Sequence, residues 1–162
     1  MGKTIGWLWR WGVAGTFLVA GVRKIWDFSG GQWATGDFTV AIQGYELVES
    51  PWLVMILAIY LPWLEVVVGV GLFFRSLALG AAAVALGMSG VFLVAVGSAW
   101  WRGLIIGCGC FGHDSGPIAP EDWGWKIFGN VVLVGATGGL FLWERRRARW
   151  ERLAVQSAVL GE

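Results

Sequence analysis

The sequence predicts an all-α integral membrane protein: a bundle of four transmembrane helices with a short outer interfacial helix between the first and the second. Three observations lead there. Hydrophobic residues make up 57% of the 162 positions and charged residues only 14%, with a mean hydropathy of +0.66, and a soluble domain has no surface on which to wet so much apolar side chain. The apolar residues are gathered into four long segments. The 13 tryptophans fall mainly at the ends of those segments, where an amphipathic indole settles at the level of the lipid headgroups. The length suits one membrane domain, residues 1–144, followed by a basic cytoplasmic tail over 145–162.

Each element follows from its local sequence. Crossing about 30 Å of hydrocarbon takes about 20 residues at the helical rise of about 1.5 Å. Residues 5–22 (IGWLWRWGVAGTFLVAGV) supply the first crossing. They carry Arg10 among Trp7, Trp9 and Trp11 and have no small-x-small cleavage site, so the segment is expected to be retained rather than removed as a signal peptide. Arg23 and Lys24, with Asp27 after them, read as interfacial anchors at its outer end. In residues 38–50, Phe38, Ala41, Ile42, Tyr45 and Val48 recur at helical spacing, which predicts the short helix lying on the outer surface. Residues 51–74, 77–101 and 123–143 are the remaining crossings. The 102–122 connection, with its Gly, Pro and Cys, shows no period and reads as irregular. Gly80, Ala81, Ala82, Ala83, Gly87 and Gly90 in the third crossing, and Gly135, Gly138 and Gly139 in the fourth, predict close helix approach.

Four crossings place both termini on one side. Lys3, Arg10, Arg75, Arg145, Arg146, Arg147, Arg149 and Arg152 lie near that side, against Arg23, Lys24, Arg102 and Lys126 near the other. The positive-inside bias therefore predicts cytoplasmic termini. The arginine-rich tail abuts the last apolar segment and reads as an inner-leaflet anchor in the lipid bilayer rather than a nucleic-acid arm. No phosphate-cradling loop or internal repeat is present, and two cysteines are too few for a disulfide framework.

Polar residues inside the apolar segments carry the first functional expectation. At the helical rise Glu65 sits about 20 Å along the second crossing, near mid-bilayer, where a carboxylate must be paired, protonated or wetted. Arg10 is the expected partner, giving a structural Arg10–Glu65 ion pair; the sharper reading makes Glu65 a proton carrier for redox chemistry. Pro62 predicts a kink, and the kink a pocket in which Trp63 stacks on a quinone ring. Asn130 is expected to donate a hydrogen bond between helices.

The second expectation is the stretch GCGCFGHD, residues 107–114, which holds both cysteines and the only histidine. Cys108 and Cys110 are separated and flanked by glycine, and a disulfide over so small a ring is strained and hence oxidising. An outward-facing loop permits disulfide chemistry. Three readings remain open on the residues alone: a reversible dithiol, a copper or zinc site at Cys108, Cys110 and His113, and a tight structural turn.

The order Arg10, Gly15, Phe17, Gly21, Lys24, Asp27, then Phe38 and Tyr45, then LPWLE at 61–65 followed by Gly69, then CGCFG at 108–112 and Asn130, resembles the MauE branch of the MauE/DoxX membrane proteins. The resemblance covers about residues 8–140. It implies a four-helix inner-membrane protein of methylamine metabolism that helps a thioredoxin-like periplasmic partner mature a disulfide-rich client, with relatives linked to quinones. Carried over, it implies that Cys108 and Cys110 are the redox pair and Arg10 and Glu65 the shared intramembrane charges. With one cysteine pair, electrons pass either directly to a quinone or through a second protein. The expected function is thiol–disulfide oxidoreduction with Cys108, Cys110 and Glu65 as the working residues. The rivals are a non-catalytic scaffold or subunit of a membrane complex, and copper or zinc handling.

Overall fold

The computed structural model describes residues 2–27, 32–104, 106 and 123–160. Cys108, Cys110 and His113 lie outside the described residues. The regular structure of the described chain is helical apart from one two-residue ladder: α1 (Gly2–Ile25), β1 (Trp26–Asp27), β2 (Gln32–Trp33), α2 (Thr35–Gly44), α3 (Pro51–Phe73), α4 (Ala78–Trp101) and α5 (Trp123–Leu160).

By length and composition three helices suffice to cross a membrane: α3, α4 and the Trp123–Ser157 stretch of α5. Among the described residues α1 is not one of these three, so the expected count of four apolar crossings is matched for the second, third and fourth. On α3 the residues Val54, Ala58, Pro62, Glu65, Val68 and Leu72 are buried at helical spacing. Tyr60, Trp63, Leu64 and Val67 on its other faces are exposed. A helix apolar on its outward face suits lipid rather than water. Pro51 opens α3 at a position that lacks an intrahelical donor anyway, and the helix runs through Pro62.

The helices pack as a chain of neighbours, α1 on α3, α3 on α4 and α4 on α5, with α5 returning to α1 over a smaller area. The central core joins Val13, Ala14 and Phe17 of α1, Val68 and Leu72 of α3, Ala82, Ala85 and Met88 of α4, and Leu140 of α5. Glycines set two of these contacts. A Cβ on Gly21 would lie 2.8 Å from the Pro62 carbonyl oxygen, and one on Gly69 would lie 2.7 Å from Leu18 Cγ. On α5, Gly139 receives the Trp9 ring and Gly6 of α1 receives Trp143. Close approach in α4 falls to alanines instead, since Gly80, Gly87 and Gly90 meet nothing within 4 Å.

The expected surface helix is present but shifted and reoriented. It spans Thr35–Gly44, not 38–50, and stands along the bundle. Its start is tied to the end of α1 by the Ala34 N–H donating to Ile25 O at 3.1 Å. Its end reaches Arg102, beyond α4, where the guanidinium donates to the Tyr45 carbonyl. The reason is that α1 stops early. Gly21 packs at Pro62 and Glu65, so at the helical rise Ile25 ends roughly 10–14 Å short of the level of Pro51. The ten residues of α2, about 15 Å long, fill that shelf against α3. Between them the β1–β2 ladder pairs Trp26 with Trp33, and their indoles meet edge to face at 5.4 Å.

Candidate functional site

Two buried ion pairs fasten α1 at different depths, and neither is the expected Arg10–Glu65 pair. Glu65 Oε1 accepts a hydrogen bond from Lys24 Nζ at 2.5 Å. Arg10 Nη1 lies 3.6 Å from Glu144 Oε1. The geometry explains the exchange. Arg10 and Lys24 are 14 residues apart on one face of α1, about 21 Å along the axis, and α3 runs antiparallel to α1, so only Lys24 reaches the level of Glu65. Lys24, read as an interfacial anchor, is therefore an internal residue. The missed signal was the spacing Arg10, Phe17, Gly21, Lys24, which aligns the second charge with the glycine that lets α3 approach.

The Lys24–Glu65 site draws on four helices. Both side chains are fully enclosed, Lys24 at 0% and Glu65 at 1% exposure. The ammonium lies 4.6 Å from the ring centroid of Phe92 on α4 and 5.0 Å from that of Phe38 on α2, each a cation–π contact. Ser89, also buried on α4, spends its hydroxyl on the Ala85 carbonyl at 2.8 Å. Glu65 Oε2 has no hydrogen-bond partner among the described residues. A buried carboxylate oxygen left bare is costly, about 1–3 kcal/mol or more.

The second pair begins a ladder that leaves the bundle. Glu144 Oε2 lies 3.2 Å from Arg147 Nη1, Arg147 Nε 3.2 Å from Glu151 Oε1, and Glu151 Oε1 2.6 Å from Arg75 Nη2 in the α3–α4 turn. The predicted tail is thus a continuation of α5, fastened to the turn.

Trp63 is 54% exposed on the outward side of α3, on a different face from Pro62 and Glu65, so it lies on the outer surface of the bundle rather than in the expected pocket. Asn130 donates to the Lys126 carbonyl of its own helix at 2.9 Å and not across to a neighbour.

The connection that leads to the cysteines starts from a built platform. Gly103 takes φ +65°; its N–H donates to Trp100 O at 3.0 Å, and that of Leu104 to Ala99 O at 3.1 Å. This pairing closes α4 with a left-handed glycine cap. Leu104 and Ile106 then pack with Val96, Ala99, Trp123, Tyr45 and Ile127. Arg102 bridges to Tyr45 O and lies 3.9 Å from Glu46 Oε2, and Glu46 itself has a left-handed φ of 51°. Burial raises the Tyr45 phenol to about 12. The end of α2 is thereby tied to the root of the cysteine loop.

No curated protein and no solved structure shows significant similarity to the chain. A family profile described as "Methylamine utilisation protein MauE" matches residues 2–144, which takes in α1 to α4, both buried ion pairs and the cysteine stretch. The chain is a membrane protein of the MauE family.

Proposed function

We propose that the chain is a thiol–disulfide redox protein of the bacterial inner membrane, with Cys108 and Cys110 as its couple, assisting a thioredoxin-like periplasmic partner in maturing a client protein. The observation that carries this is the platform under the loop: both cysteines of the chain follow within four residues of Ile106, which is seated on α2 and α5. Arg10, Arg75 and Arg145 to Arg152 lie at the opposite end of the bundle, which supports a cytoplasmic location for that end and an oxidising one for the cysteines. On this topology α1 and α2 together make the first of four crossings.

The exchange runs in two displacements. A thiolate of the partner attacks the Cys108–Cys110 disulfide; that S–S bond breaks, a mixed disulfide forms and one cysteine leaves as thiolate. The partner's second thiolate then attacks the mixed disulfide, so the partner leaves oxidised and this chain holds a dithiol. A quinone takes the two electrons and two protons, restoring the disulfide and leaving a quinol. Glu65 handles protons, and Trp63 offers its indole to the quinone ring from the lipid side.

The test is thiol trapping with a membrane-impermeant reagent in native membranes, before and after mild reduction. The expected result is a gain of two labelled thiols, lost in Cys108→Ser and Cys110→Ser. Labelling that does not change with redox state refutes the proposal.

A further inference from the structure

We propose that the exposed side of α5 just beyond Glu144 binds the headgroups of anionic phospholipids. Arg145, Arg149 and Arg152 hold the phosphodiester oxygens, and Leu142, one turn back, meets the acyl chain. The occupant is a membrane lipid of net negative charge from the leaflet at the tail end of α5. This face is independent of the thiol–disulfide chemistry, and Arg145 to Arg152 lie beyond residues 2–144 that the family profile matches.

The charges of this stretch are sorted by face. Glu144, Arg147 and Glu151, spaced i, i+3, i+7, share the side turned toward Arg10 and Arg75, where all three are paired. Arg145, Arg149 and Arg152, spaced i, i+4, i+7, fall within about 60° of one another on a different side. With Arg146 they are exposed, and none of the four makes an ion pair with a described residue. Both glutamates of the segment are thus spent on the bundle, and the outward side keeps its positive charge uncompensated. Like charges at i, i+3 and i, i+4 repel, and an anion laid across the row relieves that repulsion. A guanidinium fork also matches two oxygens of one phosphate. Depth favours a lipid as the source of that phosphate. From Trp123 to Glu144 the helix runs about 32 Å, enough to cross a hydrocarbon core of about 30 Å, so the arginines follow over the next roughly 10 Å, where headgroups begin. The neighbours on the same half of α5 suit an interface: Leu142, Trp150 and Leu153 are 52%, 72% and 50% exposed, and an exposed indole settles at headgroup level. The Glu151–Arg75 contact at 2.6 Å holds the opposite side against the α3–α4 turn, which keeps the arginine row facing outward.

The test uses the full chain reconstituted in vesicles of equal parts phosphatidylglycerol and phosphatidylcholine, then extracted into mild detergent, with retained lipids counted by native mass spectrometry. The wild type is expected to retain phosphatidylglycerol in preference. Each arginine near an anionic layer contributes about fivefold in affinity, so the triple variant Arg145→Gln, Arg149→Gln, Arg152→Gln is expected to lose about 100-fold, and Arg149→Gln alone about fivefold. These side chains are exposed, so the variants are expected to melt with the wild type in phosphatidylcholine alone. A triple variant that does so and still retains phosphatidylglycerol overturns the proposal. Arg75→Gln removes one positive charge from the paired side and is expected to leave retention unchanged; a loss equal to that of Arg149→Gln overturns the face and leaves only net charge. The corresponding triple change to lysine keeps the charge without the forks and is expected to recover only part of the preference, full recovery overturning the guanidinium geometry. Inorganic phosphate at matched ionic strength is expected to leave the lipid bound. Stripping by phosphate alone, or displacement of the lipid by a single-stranded oligonucleotide, assigns the row to a soluble anion and overturns the lipid as occupant.

Discussion

The contact that sets the whole α1–α3 register is Gly21, and replacing it with alanine tests the packing directly. The new Cβ would lie 2.8 Å from the Pro62 carbonyl oxygen, 2.9 Å from Val66 Cγ2 and 3.0 Å from Glu65 Cβ. Ordinary contact begins near 3.4 Å, so α1 and α3 must part by about half an ångström, and the nearest obstacle is backbone with no rotamer to escape into. Overpacking of this kind costs about 1–3 kcal/mol. Lys24 lies one turn further along the same face, so the separation also stretches its 2.5 Å bond to Glu65. Gly15→Ala is the control, because its Cβ meets nothing within 4 Å and the helix-propensity gain of alanine over glycine is common to both variants. The assay is thermal unfolding in detergent or nanodiscs, with Gly21→Ala expected to melt below Gly15→Ala by roughly 2–4 °C per kcal/mol. Equal or higher stability for Gly21→Ala would refute the close-packed register and, with it, the placement of Lys24 on Glu65.

Two further outcomes follow from the other end of α1 and from the loop platform. Glu144→Ala strands the buried Arg10 guanidinium, whose Nε already lacks a hydrogen-bond partner among the described residues; a loss of about 3–5 kcal/mol is expected in unfolding experiments, and Arg10→Met in that background should recover much of it. The Tyr45 phenol should ionise near 12 rather than 10, visible as phenolate absorbance in a Tyr60→Phe background. Its folded-state value is raised, so the stability it contributes is complete below pH 10, the unfolded value, and disappears as pH climbs through about 12.

Much of the architecture was legible because a membrane imposes a strong rule: long apolar runs such as 51–74 and 77–101 are helices, and the structure returns them within a few residues as α3 and α4. The short helix was found from the spacing of Phe38, Ala41, Ile42 and Tyr45, but its direction was not. Amphipathic spacing reports which face is apolar, and cannot say whether that face meets headgroups or another helix. The ion pairing was misassigned for a related reason. Choosing among Arg10, Lys24, Glu65 and Glu144 requires the axial register of two helices, and register is set by contacts such as Gly21 on Pro62 and Trp9 on Gly139 that a single sequence does not display as pairs. Glu144 was overlooked because it stands at the edge of an arginine-rich run and reads as tail; the unbroken course of α5 carries it back into the bundle.

The charges of α1 also bear on how the molecule is made. Ribosomes deliver α1 before α3 and α5, and an unpaired cation within a lone membrane helix is costly. The anion for Lys24 arrives 41 residues later, and that for Arg10 comes with the last helix. Final lodging of α1 therefore awaits carboxylates from α3 and α5, segments synthesised after it, which couples its insertion to theirs.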